Sequence, residues 1–143
     1  MKKNLLGFLL LASTTGLVNA QDVKESLVPL VVKTAFKKKY PNAQNVEWEK
    51  EKRTYEANWG GKSKEDKSVQ FTANGDFIEM VKAIPVSQLP APVIAYVKTH
   101  YKGAKITEAG KVTDIHGKLS YEAEVNKKDI TFDEKGNFIK EEE

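Results

Sequence analysis

Two phrases in this chain, Phe71-Thr72-Ala73-Asn74-Gly75-Asp76-Phe77-Ile78-Glu79 and Phe132-Asp133-Glu134-Lys135-Gly136-Asn137-Phe138-Ile139-Lys140, stand 61 residues apart. The same spacing relates Pro29 to Pro90, Tyr40 to Tyr101, Ala43 to Ala104 and Val69 to Ile130. Tyr55-Glu56-Ala57-Asn58-Trp59 returns as Tyr121-Glu122-Ala123-Glu124-Val125 at a spacing of 66. The unit therefore changes length internally. The polar run Gly60 to Ser68 has only Asn126-Lys127-Lys128-Asp129 as its counterpart. A repeat of this period means one supersecondary unit used twice.

Each unit reads as a helix followed by strands. Val28, Val31, Val32, Ala35, Phe36 and Tyr40 recur at helical spacing, with Lys33, Lys37 and Lys38 mainly on the other side. Pro29 suits a first helical turn and Pro41 a stop. Val93, Ile94, Val97 and Tyr101 make the second stripe, and Gly103 follows it. Lys37-Lys38-Lys39 reads as a solvated helix face rather than a nucleic-acid patch.

Alternation follows each helix. Val46 and Trp48 alternate with Glu47 and Glu49; Tyr55, Ala57 and Trp59 alternate with Glu56 and Asn58. A turn centred on Glu51-Lys52 predicts Trp48 opposite Tyr55 and Glu47 opposite Glu56. Trp48, Tyr55 and Trp59 then form core against the helix, rather than an aromatic platform for sugars or peptides. Leu119, Tyr121, Ala123 and Val125 repeat the pattern around Glu122 and Glu124. Asp133 to Gly136 fits a type I turn with glycine left-handed. Asn74-Gly75 fits either that bulged form or a two-residue type I′ turn. The parallel between the units favours the bulge, and a slip of one residue would exchange the faces.

The expected fold class is α+β: a tandem repeat of a helix plus about four antiparallel strands, helices packed on one sheet face and the other left open to water. The expected organisation is a signal peptide over 1–20, a first repeat over 21–84 and a second over 85–143. The leader rests on Lys2-Lys3, the apolar run Leu5 to Ala12, and the small residues Val18-Asn19-Ala20. The apolar run is too short to span a bilayer comfortably, so no membrane span is expected after cleavage. Losing Lys2 and Lys3 lowers the formal charge from +3 to +1, which argues against nucleic acid as a partner. The chain has no cysteine, so thiol chemistry and disulfides are excluded and the core must hold each unit together.

With the residues laid out as Tyr40-Pro41-Asn42-Ala43, Tyr55 to Trp59 and the two Gly-x-Phe-Ile hairpins, the chain resembles the PepSY-like, beta-lactamase-inhibitor-like family of periplasmic proteins of Bacteroidetes. The resemblance covers about residues 28 to 143. It implies the tandem helix-plus-four-strand fold and a periplasmic or secreted location. It carries no activity with it. The beta-lactamase inhibitory protein binds its enzyme through the open sheet face and loops, but none of its contact residues is matched here individually.

No HExxH, GxSxG, P-loop or dinucleotide pattern is present, and His100 and His116 are the only histidines. The chain is read as no enzyme, with no cofactor and no metal. Its expected role is a binding or inhibitor-like module of the cell envelope, presenting the sheet face to an unidentified envelope or secreted protein. The candidate partner-binding residues are Glu47, Glu56, Asn58, Glu122 and Glu124. The alternative is a sensor or scavenger of a small ligand or divalent ion at that acidic face. The plain reading of the same carboxylates is a solvated surface screened by salt.

Overall fold

The computed structural model describes residues 20–142. They form two compact units that divide between Met80 and Val81. The expected leader and the small residues before Ala20 lie outside the described residues.

The first unit opens with strand β1 (Gln21–Val23) and a turn of 3-10 helix (Glu25–Leu27), then α1 (Leu30–Lys39). Four strands follow: β2 (Glu47–Glu51), β3 (Thr54–Trp59), β4 (Lys67–Thr72) and β5 (Phe77–Ala83), the last running through the division. Pro29 caps α1 rather than occupying its first turn. Val32 and Phe36 are its buried residues, one turn apart on one face. They pack with Val28 on Trp48, Tyr55, Ala57, Trp59, Val69 and Phe71. Trp48, Tyr55 and Trp59 are core, as their alternation predicts. Phe36 meets Trp48 and Trp59 edge-on, with ring centroids 5.3 and 5.2 Å apart. Val31 departs from its expected stripe and is 50% exposed. One helical step from Val32 turns it aside, towards the Gly75 hairpin.

In the second unit a 3-10 turn (Val86–Gln88) leads into α2 (Ala91–His100). Strands β6 (Ile106–Asp114), β7 (Leu119–Val125), β8 (Lys128–Asp133) and β9 (Phe138–Glu142) follow. Val93 and Val97 of α2 pack with Leu89 on Ala109, Ala123, Val125, Ile130 and Phe132. All strand pairs recorded within each unit are antiparallel, and sequence neighbours are sheet neighbours. The class is therefore α+β, with two helices and nine strands among the described residues.

The turns fix the registers. At both phrases the hairpin takes the bulged form. Gly75 N–H donates to Thr72 O and Thr72 N–H to Asp76 O, both at 2.9 Å. Gly136 and Asp133 repeat this with Asn137. Gly75 and Gly136 have φ of 84° and 85°, the left-handed region glycine enters without strain. Phe71 and Phe77 therefore share a face, centroids 6.2 Å apart, as do Phe132 and Phe138 at 6.4 Å.

The β2–β3 register differs from the expected one. Its turn is centred on Lys52-Arg53, one residue later, with Lys52 at φ 49°. Thr54 Oγ1 closes it by donating to Glu51 O at 3.0 Å. Pairing thus moves by two residues. Trp48 faces Ala57, Glu47 faces Asn58, and Glu49 rather than Glu47 faces Glu56. A two-residue shift keeps every side chain on its face, so the apolar and polar faces stand as read.

Candidate acidic sheet faces

The face of each sheet that turns away from its helix carries carboxylates in transverse rows. In the first unit Asp22, Glu49, Glu56 and Gln70 stand opposite one another across β1 to β4. In the second, Glu108 faces Glu124, Glu124 faces Asp129, and Asp129 faces Glu142, one carboxylate from each of β6 to β9. Like charges directly opposite on adjacent strands destabilise a sheet.

The two rows differ in exposure. Glu56 and Asn58 lie on the interior strand β3 and are only 5% and 4% exposed, and Glu122 on the interior strand β7 is 2% exposed. These three were expected to stand open to water. An interior strand has side chains on both flanks about 5 Å away, which closes over all but the longest groups. Glu56 accepts a 2.6 Å hydrogen bond from Ser68 Oγ. Burial nevertheless pushes its carboxyl up to about 8, with Glu49 adding repulsion. Burial, then Asp22 and other nearby carboxylates, raises Glu49 to about 7. Gln70 Nε2 donates to Thr54 Oγ1, while its buried Oε1 has no partner.

The remaining expected residues are accessible. Glu47 is exposed and pairs with Lys64 at 2.6 Å. Glu124 is half-buried and accepts a 2.5 Å bond from Thr107 Oγ1. Its neighbour Glu108 is exposed, and Asp129 and Glu142 are half-buried. Burial, then Glu124 and Glu142, raises Asp129 to about 6, and its Oδ1 has no hydrogen-bond partner. Lys140 reaches Glu142 at 2.8 Å. The spacing of the sequence drew attention to Glu124. It missed Glu108, Asp129 and Glu142, which join Glu124 only once the register is known.

The histidines build no catalytic group with one another. His100 stacks on Tyr96 at 3.9 Å with Nδ1 2.9 Å from Tyr96 O, in the last turn of α2. His116 sits in the hairpin joining β6 to β7, whose first residue, Asp114, accepts from its N–H. Among the described residues no group of three or more His, Asp or Glu converges to hold a metal ion. No helix among them is long and apolar enough to cross a membrane.

A profile of the family described as "Putative beta-lactamase-inhibitor-like, PepSY-like" matches residues 17–78 and again 60–140. Among curated proteins no significant match exists. Solved structures share the fold. A "BLIP-like protein" from Bacteroides fragilis is 24% identical with a TM-score of 0.61, over 81% of this chain and 86% of that one. A DUF2874 family protein from Bacteroides uniformis is 21% identical with a TM-score of 0.67, over 79% and 87%. Another, called "putative periplasmic proteins", from Bacteroides eggerthii, is 21% identical with a TM-score of 0.68, over 80% and 88%. With its α+β architecture, helix-backed sheets and a profile match across nearly all of its described length, the chain belongs to the PepSY-like, beta-lactamase-inhibitor-like family.

Proposed function

We propose that the chain is an exported, non-enzymatic binding module of the cell envelope, built from two tandem helix-plus-four-strand repeats, that docks a cationic segment of a protein partner on an acidic sheet face. Export is supported by the leader-like residues 1–20 and by the description of the Bacteroides eggerthii relative. The tandem reading is supported by the 61-residue spacing and by two successive matches to one family profile.

The observation that carries the docking reading is the row Glu108, Glu124, Asp129 and Glu142. Four adjacent carboxylates cost the isolated sheet stability, and a partner's lysine or arginine removes that repulsion on contact. Glu47 and Glu124 remain accessible candidates; Glu56, Asn58 and Glu122 are too deeply buried to touch a partner. Binding works by occlusion, without covalent chemistry.

Capture from periplasmic extract on immobilised protein tests this. A stoichiometric partner is expected that elutes with salt, because exposed charge pairs are screened. The triple variant Glu108→Gln, Glu124→Gln, Asp129→Asn should lose it while melting no lower than the parent. Equal capture by the triple variant, or a partner indifferent to salt, sinks the acidic-face reading.

A further inference from the structure

One corner is built differently in the two units. In the second, Tyr101 follows α2, Lys128 opens β8 and Glu141 lies on β9. The Tyr101 hydroxyl donates to Glu141 Oε2. Lys128 Nζ stands 2.7 Å from Glu141 Oε1. One carboxylate thus serves a phenol and an ammonium. Hydrogen bonds from Lys128 and then Tyr101 hold Glu141 below the usual carboxylate range.

At the same 61-residue spacing the first unit has Tyr40 after α1, Lys67 opening β4 and Met80 on β5. The carboxylate is missing. Tyr40 donates instead to Met80 Sδ at 3.3 Å, and a thioether is a weak acceptor. Lys67 is half-buried directly opposite Trp59. Its ammonium has no hydrogen bond or ion pair among the described residues. A cleft of about 740 Å³ opens here, lined among others by Tyr40, Asn45, Trp59, Lys62, Lys67 and Met80. The longer β3–β4 connection contributes Lys62, which also has no ion-pair partner among the described residues.

We propose that this cleft binds an external carboxylate, seated between the Tyr40 hydroxyl and the Lys67 ammonium, where the second unit places its own Glu141. Both donors line the cleft and lack a strong acceptor. A carboxylate accepts from both, and the charge-assisted bond to lysine is the stronger kind. Lys62 adds a second positive charge at the rim. The cleft is much larger than one carboxylate, and Tyr40, Trp59 and Met80 give part of its lining an aromatic and apolar character. The acid therefore carries a carbon body: it is a free organic acid or the acidic side chain of a peptide. The site lies on the helix-bearing face of the first unit and stands independently of the docking reading.

The test is titration of the chain from Gln21 onward, kept whole, with phenylacetate and separately with a tetraglutamate peptide. Amide and indole NMR shifts report the site. A saturable shift of the Trp59 indole and Lys67 amide is expected at millimolar ligand or below. Tighter binding of phenylacetate identifies a free acid as the source, and tighter binding of tetraglutamate a peptide. Lys67→Gln should weaken the response by about tenfold or more. Met80→Glu supplies the carboxylate internally; it should abolish binding and raise the melting temperature. Glu141→Met should leave the Trp59 response unchanged. The proposal is overturned by no saturable shift with either probe, or by a Met80→Glu variant that titrates like the parent.

Discussion

The two units carry the same tyrosine and the same lysine beside the C-terminal end of the helix, and differ in one acceptor. Glu141 closes the corner of the second unit; Met80 leaves that of the first open. The acidic rows differ in the opposite sense. The first unit buries Glu49 and Glu56, whereas the second leaves Glu108, Glu124, Asp129 and Glu142 within reach of water. The unit with the unfilled corner thus has the more deeply buried row of carboxylates, and the unit with the filled corner the more accessible one. The shared framework and the divergent sites can be probed separately.

The largest effects should come where the units agree. Phe71 and Phe132 are 1% and 0% exposed, and each stands opposite a tyrosine, Tyr55 or Tyr121. Replacing either by Ala should cost about 3–5 kcal/mol, the usual range for a core Phe. Phe132 also meets Tyr96 edge-on at 5.4 Å, which adds about 0.5–1.5 kcal/mol to its side of the comparison. Urea titration of each variant reads the two values. A loss well under 1 kcal/mol at either position would mean that the packing of that unit is not as described.

The next effect separates the units by pH. Glu49 and Glu56 have folded-state values near 7 and 8, raised by burial above the ordinary 4.5. Between those values the folded chain holds more protons than the unfolded chain. Stability therefore falls as pH rises from about 5 to 8. Glu56→Gln, which removes the titration and keeps the shape, should flatten this slope and stabilise the protein at pH 8 by on the order of 2 kcal/mol. Asp129→Asn, whose parent titrates near 6, should alter only the lower part of the same window. Melting curves at pH 5, 6.5 and 8 distinguish them; a Glu56→Gln variant with the parent slope would contradict the burial of that carboxylate.

What the sequence revealed, it revealed through period and repetition. Trp48, Tyr55 and Trp59 announce the buried face because large groups alternate with charges, and α1 and α2 announce themselves by spacing. The Gly75 hairpin was ambiguous alone and resolved by analogy with Gly136. The β2–β3 register was missed because Lys52, a non-glycine at positive φ, gives no turn signal. Strand β1, three residues long, is too short for alternation to show. Buried polar positions escaped because period 2 tells which face a residue takes but not how deeply its neighbours cover it. The cleft escaped for a different reason. Identities at the 61-residue spacing mark the shared framework, whereas the cleft lies where the spacing pairs unlike residues, Met80 with Glu141.

The smallest effects concern the hairpin glycines, where the comparison can be made within one variant series. Gly75, Gly117 and Gly136 all have φ between 75° and 85°. An alanine at any of them should cost about 1 kcal/mol for the left-handed backbone alone. Their surroundings differ. A Cβ at Gly117 would meet nothing within 4 Å. At Gly75 it would lie 3.0 Å from Val31 O, and at Gly136 3.0 Å from Pro92 Cβ and 3.3 Å from Val93 N. In both units the repeated hairpin abuts the start of its helix, where the chain has little room to give. Gly75→Ala and Gly136→Ala should therefore be more destabilising than Gly117→Ala. Asparagine, which tolerates the left-handed region, should rescue position 117 but neither of the others. Denaturation midpoints of the six variants test this. If asparagine rescued all three glycines equally, backbone conformation alone would explain the repeated glycine, and the hairpin-to-helix contact would have no part in why the phrase recurs.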